Sequence, residues 1–254
     1  MPRRAWYIGC SDEDVGQAAI LVGDRARIDR IAEHLDRPTL LEESRGLRTV
    51  TGMRGRARVT ASAFGMGGPI AAIVLHELFD LGVRRFLRIG TAMVMSPAEL
   101  GDFVVADGAF RADGTSQTYA PLGYPAVADF DLGVALRVAL AQRARQWRAG
   151  LFGTYDGFYT EMFALSSFGA ERIEAVRAES RRLGLIAADM ETATLLTAAR
   201  ILGARAASLC LGTVDGLTQA KIGAAELAKG ERELFEVALD AAVAPLSPDS
   251  RTSS

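Results

Sequence analysis

Ala18-Ala19-Ile20-Leu21-Val22-Gly23-Asp24-Arg25-Ala26-Arg27-Ile28-Asp29-Arg30-Ile31-Ala32-Glu33-His34-Leu35 is the stretch that decides the fold. Its apolar run over 18–22 closes on a glycine, which reads as a buried strand entering a turn. Ile28, Ile31, Ala32 and Leu35 then recur at helical spacing, so 25–35 reads as a helix. The same alternation continues outward. Strands are expected at 49–53, 56–63, 85–89, 103–110, 149–154 and 205–211. Helices are expected at 69–81, 129–147, 171–183, 192–202 and 220–243. Pro69 suits the first turn of its helix, Asp129 or Asp131 sits near the start of another, and Gly203 ends a third. Strand–helix alternation of this kind predicts one α/β domain over residues 1–246. Its central sheet should be mixed but mostly parallel, with helices on both faces. The small, polar residues 247–254 are expected to be a disordered tail.

Composition narrows the chemistry. The chain has 254 residues, and only Lys221 and Lys229 among its 29 basic residues are lysines, leaving 27 arginines. Formal net charge is −2, which argues against a general nucleic-acid binder. Cys10 and Cys210 cannot build a disulfide framework or a four-thiolate zinc site, and His34 and His76 leave little room for a multi-histidine centre. No metal and no cofactor are expected. No apolar run approaches the ~18 residues of a membrane span. Met1-Pro2-Arg3-Arg4-Ala5-Trp6 has no apolar segment after it as a secretory signal would, so a cytoplasmic location is expected.

Some motifs look functional and are not sufficient. Gly65-Met66-Gly67-Gly68 lacks the third glycine of a dinucleotide loop. His76-Glu77 lacks the second histidine of a zincin helix. There is no G-x-S-x-G elbow, and neither cysteine lies in a basic context, so no nucleophilic apparatus is visible. What remains is a set of strand ends. Gly23 to Arg27 joins a strand to a helix, where backbone N–H groups and a guanidinium can meet an anion. Arg88-Ile89-Gly90-Thr91 puts an arginine inside an apolar strand, which is costly unless an anion or a nearby acid pairs with it. Glu191 opens an apolar helix, either to stabilise the helix start or to accept two sugar hydroxyls.

Together these pieces resemble the nucleoside phosphorylases that include uridine phosphorylase and the hexameric bacterial purine nucleoside phosphorylases. The resemblance runs from about residue 7 to 245. It rests on Val22-Gly23-Asp24-Arg25-Ala26-Arg27, Gly65 to Pro69, Phe86 to Thr91, the stretch 111–129, Asp156-Gly157-Phe158-Tyr159 and Asp189-Met190-Glu191-Thr192-Ala193-Thr194-Leu195-Leu196. The stretch 111–129 and the Met-Glu run look most like uridine phosphorylase. The resemblance implies phosphorolysis: inorganic phosphate as co-substrate attacks C1′ of a nucleoside, giving free base and pentose 1-phosphate. By position it implies a phosphate site of Gly23, Arg27, Arg45, Arg88 and Thr91. Tyr7, Thr91, Met190 and Glu191 would hold ribose, and Phe158 and Met162 would face the base. Arg88, Glu191 and Asp215 are the candidate catalytic residues. It also implies a homo-oligomer, a hexamer built as a trimer of dimers, with Tyr7 and Arg45 lent across the dimer interface.

The chain departs from the family pattern in four places. Met162 and Ala164 stand where pyrimidine-specific members carry a glutamine and an arginine that read the uracil edge. Tyr7 stands in place of a histidine that contacts the ribose 5′ end. Asp215 lies one residue late for the acid with which purine members protonate the base, and a turn role before Gly216 is the alternative. Gly46 and Ile70 replace the groups that hold a monovalent cation in some uridine phosphorylases. The alternatives to a uridine phosphorylase-like enzyme are a purine nucleoside phosphorylase, a nucleoside hydrolase on the same fold, and a non-catalytic nucleoside-binding protein. The retained arginines argue against the hydrolase, and Glu191 against the binder.

Overall fold

Strand β1 (Ala18–Val22) is buried at every position and lies between two parallel neighbours, β4 (Ala57–Ala63) and β5 (Arg85–Val94). A strand covered on both faces and both edges has no solvent side, which is why its sequence is an unbroken apolar run. Its side chains still alternate. Ile20 and Val22 pack into one core with Ile28, Leu136 and Phe235, whereas Ala19 and Leu21 pack into another with Leu75, Leu78 and Leu195. These two cores are the helical layers. The first holds α1 (Ala26–Ala32), α4 (Phe130–Ala141) and α7 (Ala224–Val243), and the second α2 (Gly68–Asp80) and α6 (Thr192–Ile201). The computed structural model describes residues 2–247. Within it, the expected single α/β unit with helices on both faces is present.

The sheet branches at β5. Residues 85–89 pair in parallel with β1 on one edge and with β10 (Arg205–Asp215) on the other. Met93 and Val94 instead pair antiparallel with β9 (Leu185–Asp189). β10 continues antiparallel to β6 (Phe103–Ala112), β6 parallel to β8 (Trp147–Tyr155), and β8 parallel to β9. Strands β5, β10, β6, β8 and β9 therefore close into a ring. On the open side β4 is followed by β3 (Thr49–Arg54) and the edge strand β2 (Asp36–Leu40), both joined antiparallel. A short β7 (Ala126–Val127) adds to β6.

This corrects the expected parallel predominance. Among the described residues five ladders are parallel and five antiparallel, because β2–β4 form a meander and β6, β8 and β9 enter the ring reversed. Other boundaries also differ. The helix expected over 129–147 ends at Ala141, and Trp147 already opens β8. The strand expected at 85–89 runs on to Val94. Strands β2 and β9, the short α3 (Gly114–Tyr119) and a π-helical turn at Phe158–Met162 were not expected. At the C-terminus, the Ser247 carbonyl accepts from Arg205 Nη2 at 2.8 Å. The rest of the expected tail, 248–254, lies outside the described residues. Among the described residues no helix is long and apolar enough to cross a membrane.

Candidate active site

A cavity of about 580 Å³ opens where β1, β5, β9 and β10 end. Its size suits a small-molecule ligand. Gly23, Arg27, Arg88 and Thr91 line it together with Met190, Glu191, Phe158 and Met162. These eight residues come from five separate elements and turns.

The anion end is built by close backbone approach and buried charge. A Cβ at Gly23 would stand 2.9 Å from the Gly65 carbonyl oxygen, so only glycine fits there. Arg27, at the start of α1, is 7% exposed, and its Nε donates to Glu231 Oε1 of α7 at 2.8 Å. Glu231 also takes the Arg30 guanidinium. Arg88 is 5% exposed. Its Nη2 donates to Glu191 Oε2 at 2.5 Å, and its Nη1 lies 3.1 Å from Asp189 Oδ2 and 2.7 Å from Cys210 Sγ. The acid partner weighed for Arg88 is therefore present, and Arg27 has one as well. Burial alone would make Arg88 easier to deprotonate. The charges of Asp189 and Glu191 outweigh this, and its pKa shifts up. The guanidinium is thus a fixed cation facing the cavity.

Glu191 is held from both sides. Besides Arg88, its Oε1 accepts from the Gly67 N–H at 2.7 Å. Gly67 has φ of +99°, a conformation open mainly to glycine, so the Gly65–Gly68 loop has a use: it orients the carboxylate. Gly65 and Met66 of the same loop line the cavity. Asp189 was missed by sequence reasoning. Only 3% exposed, it accepts from Thr154 Oγ1 at 2.9 Å, from the Thr192 N–H at 3.2 Å and from the Thr192 hydroxyl, while pairing with Arg88. An acid two residues ahead of Glu191 at a strand end was the available signal.

The surroundings of Met162 are apolar. Met162 is 5% exposed and packs with Met93, Tyr155, Val176 and Ala188. Phe158 is at the cavity mouth, its ring stacked on Phe163 at 5.9 Å. The π-helical turn that carries both residues closes through the Phe163 N–H to the Phe158 carbonyl at 2.8 Å.

Three expected residues lie elsewhere. Tyr7 and Arg45 do not line this chain's cavity; they lie together, with the guanidinium 4.8 Å from the centre of the Tyr7 ring. Glu77 fixes the loop, accepting from the Tyr7 N–H at 2.8 Å and the Ile8 N–H at 2.8 Å. That is the structural role of Glu77 in the His76-Glu77 pair. Asp215 is also absent from the lining. Its Oδ1 accepts from Leu217 N–H at 3.0 Å, Thr218 N–H at 2.6 Å and Thr218 Oγ1 at 2.8 Å. The Thr218 amide above all holds its pKa below the ordinary value. This geometry is that of a turn residue, the alternative weighed for Asp215 in the sequence.

Comparison with known proteins follows the same line. The family model described as the phosphorylase superfamily matches residues 17–242. The chain belongs to the phosphorylase superfamily. A uridine phosphorylase of Haemophilus influenzae is 33% identical over 234 residues, covering 90% of this chain and 92% of that protein. A uridine phosphorylase of Escherichia coli is 32% identical over 244 residues, covering 93% and 96%. A guanosine phosphorylase of Halorubrum lacusprofundi is 36% identical over 204 residues, covering 80% and 79%.

Proposed function

We propose that this protein is a nucleoside phosphorylase of the uridine phosphorylase type, a pentosyltransferase with inorganic phosphate as co-substrate. The observation that carries the reading is the pairing of Arg88 with Glu191 in one cavity, an anion-binding group beside a hydroxyl-binding one. Phosphate binds at Gly23, Arg27, Arg88 and Thr91, displacing part of the carboxylate pairing of Arg88. Glu191 takes the ribose hydroxyls and turns C1′ toward the phosphate. Breaking the glycosidic bond develops positive charge on the sugar, which the adjacent phosphate steadies and then captures. The oriented guanidinia supply position and charge complementarity, so the reading needs no protein nucleophile. Bond making to C1′ and departure of the base with the bonding pair complete the reaction.

The site is finished across an interface in this reading. The Tyr7 and Arg45 pair, which does not line its own chain's cavity, is offered to a second subunit, in a cytoplasmic hexamer of three dimers. Incubation with phosphate and uridine, thymidine, inosine, adenosine or guanosine, followed by chromatography of the base, tests the activity. Sedimentation tests the assembly, and a fully active monomer would refute the shared site.

A further inference from the structure

The base end of the cavity lacks side-chain hydrogen-bond donors at Met162 and Ala164, yet an arginine from another element stands directly behind it. Arg177 of α5 (Ala170–Leu183) lines a small annex together with Met93, Met162 and Ala188, and these three also line the main cavity. They form the wall between the two spaces. With its amide oriented to satisfy its neighbours, the Gln219 oxygen accepts from Arg177 Nη2 at 2.8 Å and from the Ala164 N–H at 2.7 Å. The guanidinium therefore shares a partner with the residue that stands where an arginine would read the base. Arg177 Nε is buried and has no hydrogen-bond partner among the described residues. A buried donor left unmade is costly and calls for an explanation.

The annex has a volume of about 10 Å³, room for roughly one water molecule and no more. A base reaches Arg177 only if the wall gives way. Met162 is suited to this, being unbranched with three rotatable side-chain bonds. Arginine donates and never accepts. Its counterpart is a carbonyl oxygen; the Glu161 carboxylate in the same annex is engaged by the Gly157 N–H and Arg172, so an exocyclic amino group would meet Arg177 donor to donor.

We propose that Arg177 is the specificity-determining residue of the base site. It reads a carbonyl on the inner edge of the base when Met162 swings aside, and selects oxo-bases over their amino counterparts. The inference rests on the phosphorolysis reading above. The test measures kcat and KM at saturating phosphate for uridine against cytidine and inosine against adenosine, in wild type and in Arg177→Met, Arg177→Lys and Met162→Ala. Wild type is expected to favour at least one oxo-nucleoside by about 100-fold in kcat/KM, the order expected when the wrong ligand leaves one buried donor unpaired. Arg177→Met should reduce that ratio to below about tenfold, mainly through nucleoside KM, with phosphate KM unchanged. Arg177→Lys should recover part of it, and Met162→Ala should lower KM for the oxo-nucleoside alone. A ratio preserved in a folded Arg177→Met variant, or a wild-type preference for the amino-nucleosides, overturns the proposal. If wild type releases no base with phosphate, the reaction assignment fails instead. Calorimetry with free uracil, cytosine, hypoxanthine and adenine then decides the role of Arg177. Tighter oxo-base binding that Arg177→Met abolishes supports it, and equal binding overturns it.

Discussion

Replacing Arg88 by alanine separates the two roles that the structure gives it. The side chain is 6% exposed and faces two buried carboxylates, at 2.5 Å from Glu191 and 3.1 Å from Asp189. Removing the cation leaves both acids without their counter-charge, and breaking a buried pair in this way costs about 3–5 kcal/mol. Total stabilities of about 5–15 kcal/mol leave such a variant folded in most cases, with a lower denaturation midpoint. The catalytic loss is separate. Each hydrogen bond from a charged group to phosphate is worth about 1.5–3 kcal/mol. One or two of them lower kcat/KM for phosphate by roughly 10- to 1,000-fold or more. Arg88→Lys keeps the charge without the planar fork and should fall between wild type and alanine. Linkage supplies a readout that a structural role alone would not move. Phosphate at 100 times its Kd should stabilise wild type by about 2.7 kcal/mol and Arg88→Ala, at the same concentration, by far less. The assays are phosphate-saturation kinetics and urea denaturation with and without phosphate. A folded Arg88→Ala variant with phosphate KM within about twofold of wild type would refute the reasoning.

Glu191→Ala should cut turnover for every nucleoside, whatever the base, since the carboxylate is placed for the sugar; a loss confined to one base in the kinetic panel would mean that it reads the base instead. Asp215→Ala should leave kcat within about threefold and cost about 1 kcal/mol in denaturation, because its carboxylate closes a turn. Its folded pKa lies below the ordinary value of 3.8, so this contribution is present above that pH and is lost as acid protonates the group. Burial pushes the Cys10 thiol from 9.0 up to about 12 and the Cys210 thiol from 9.0 up to about 11, so neither should react with a thiol reagent at pH 8 until the chain unfolds. The fold holds these protons where the unfolded chain releases them, so stability should fall as pH rises from about 9, read as a declining urea midpoint.

How much was legible in the sequence follows from where each residue's partners lie. Strand β1 shows as an apolar run because both its faces and both its edges are covered. Strand β2, Asp36-Arg37-Pro38-Thr39-Leu40, is exposed at every position at the sheet edge, where proline and charge are tolerated and no hydrophobic period remains. Strand β9 is five residues long and sits between the helices expected at 171–183 and 192–202, too short an apolar run to be told from their connection. Arg88 stood out because a charge inside an apolar strand demands a partner. Glu231 did not, since it reaches Arg27 across 204 residues of sequence and lies in a helix of ordinary amphipathic pattern. Arg177 was invisible for the same reason: on an amphipathic, arginine-rich helix it looks like a solvated face, and only the packing of α5 brings it behind Met162.

The central claim is that Arg27, Arg88 and Thr91 gather phosphate beside a sugar held by Glu191. It is tested most directly by identifying the sugar product. Uridine and inosine are incubated with the protein in the presence and absence of phosphate, and phosphorus NMR and chromatography follow the products. The account predicts one pentose 1-phosphate for each base released and no release without phosphate. Free pentose formed at the same rate whether or not phosphate is present would contradict it.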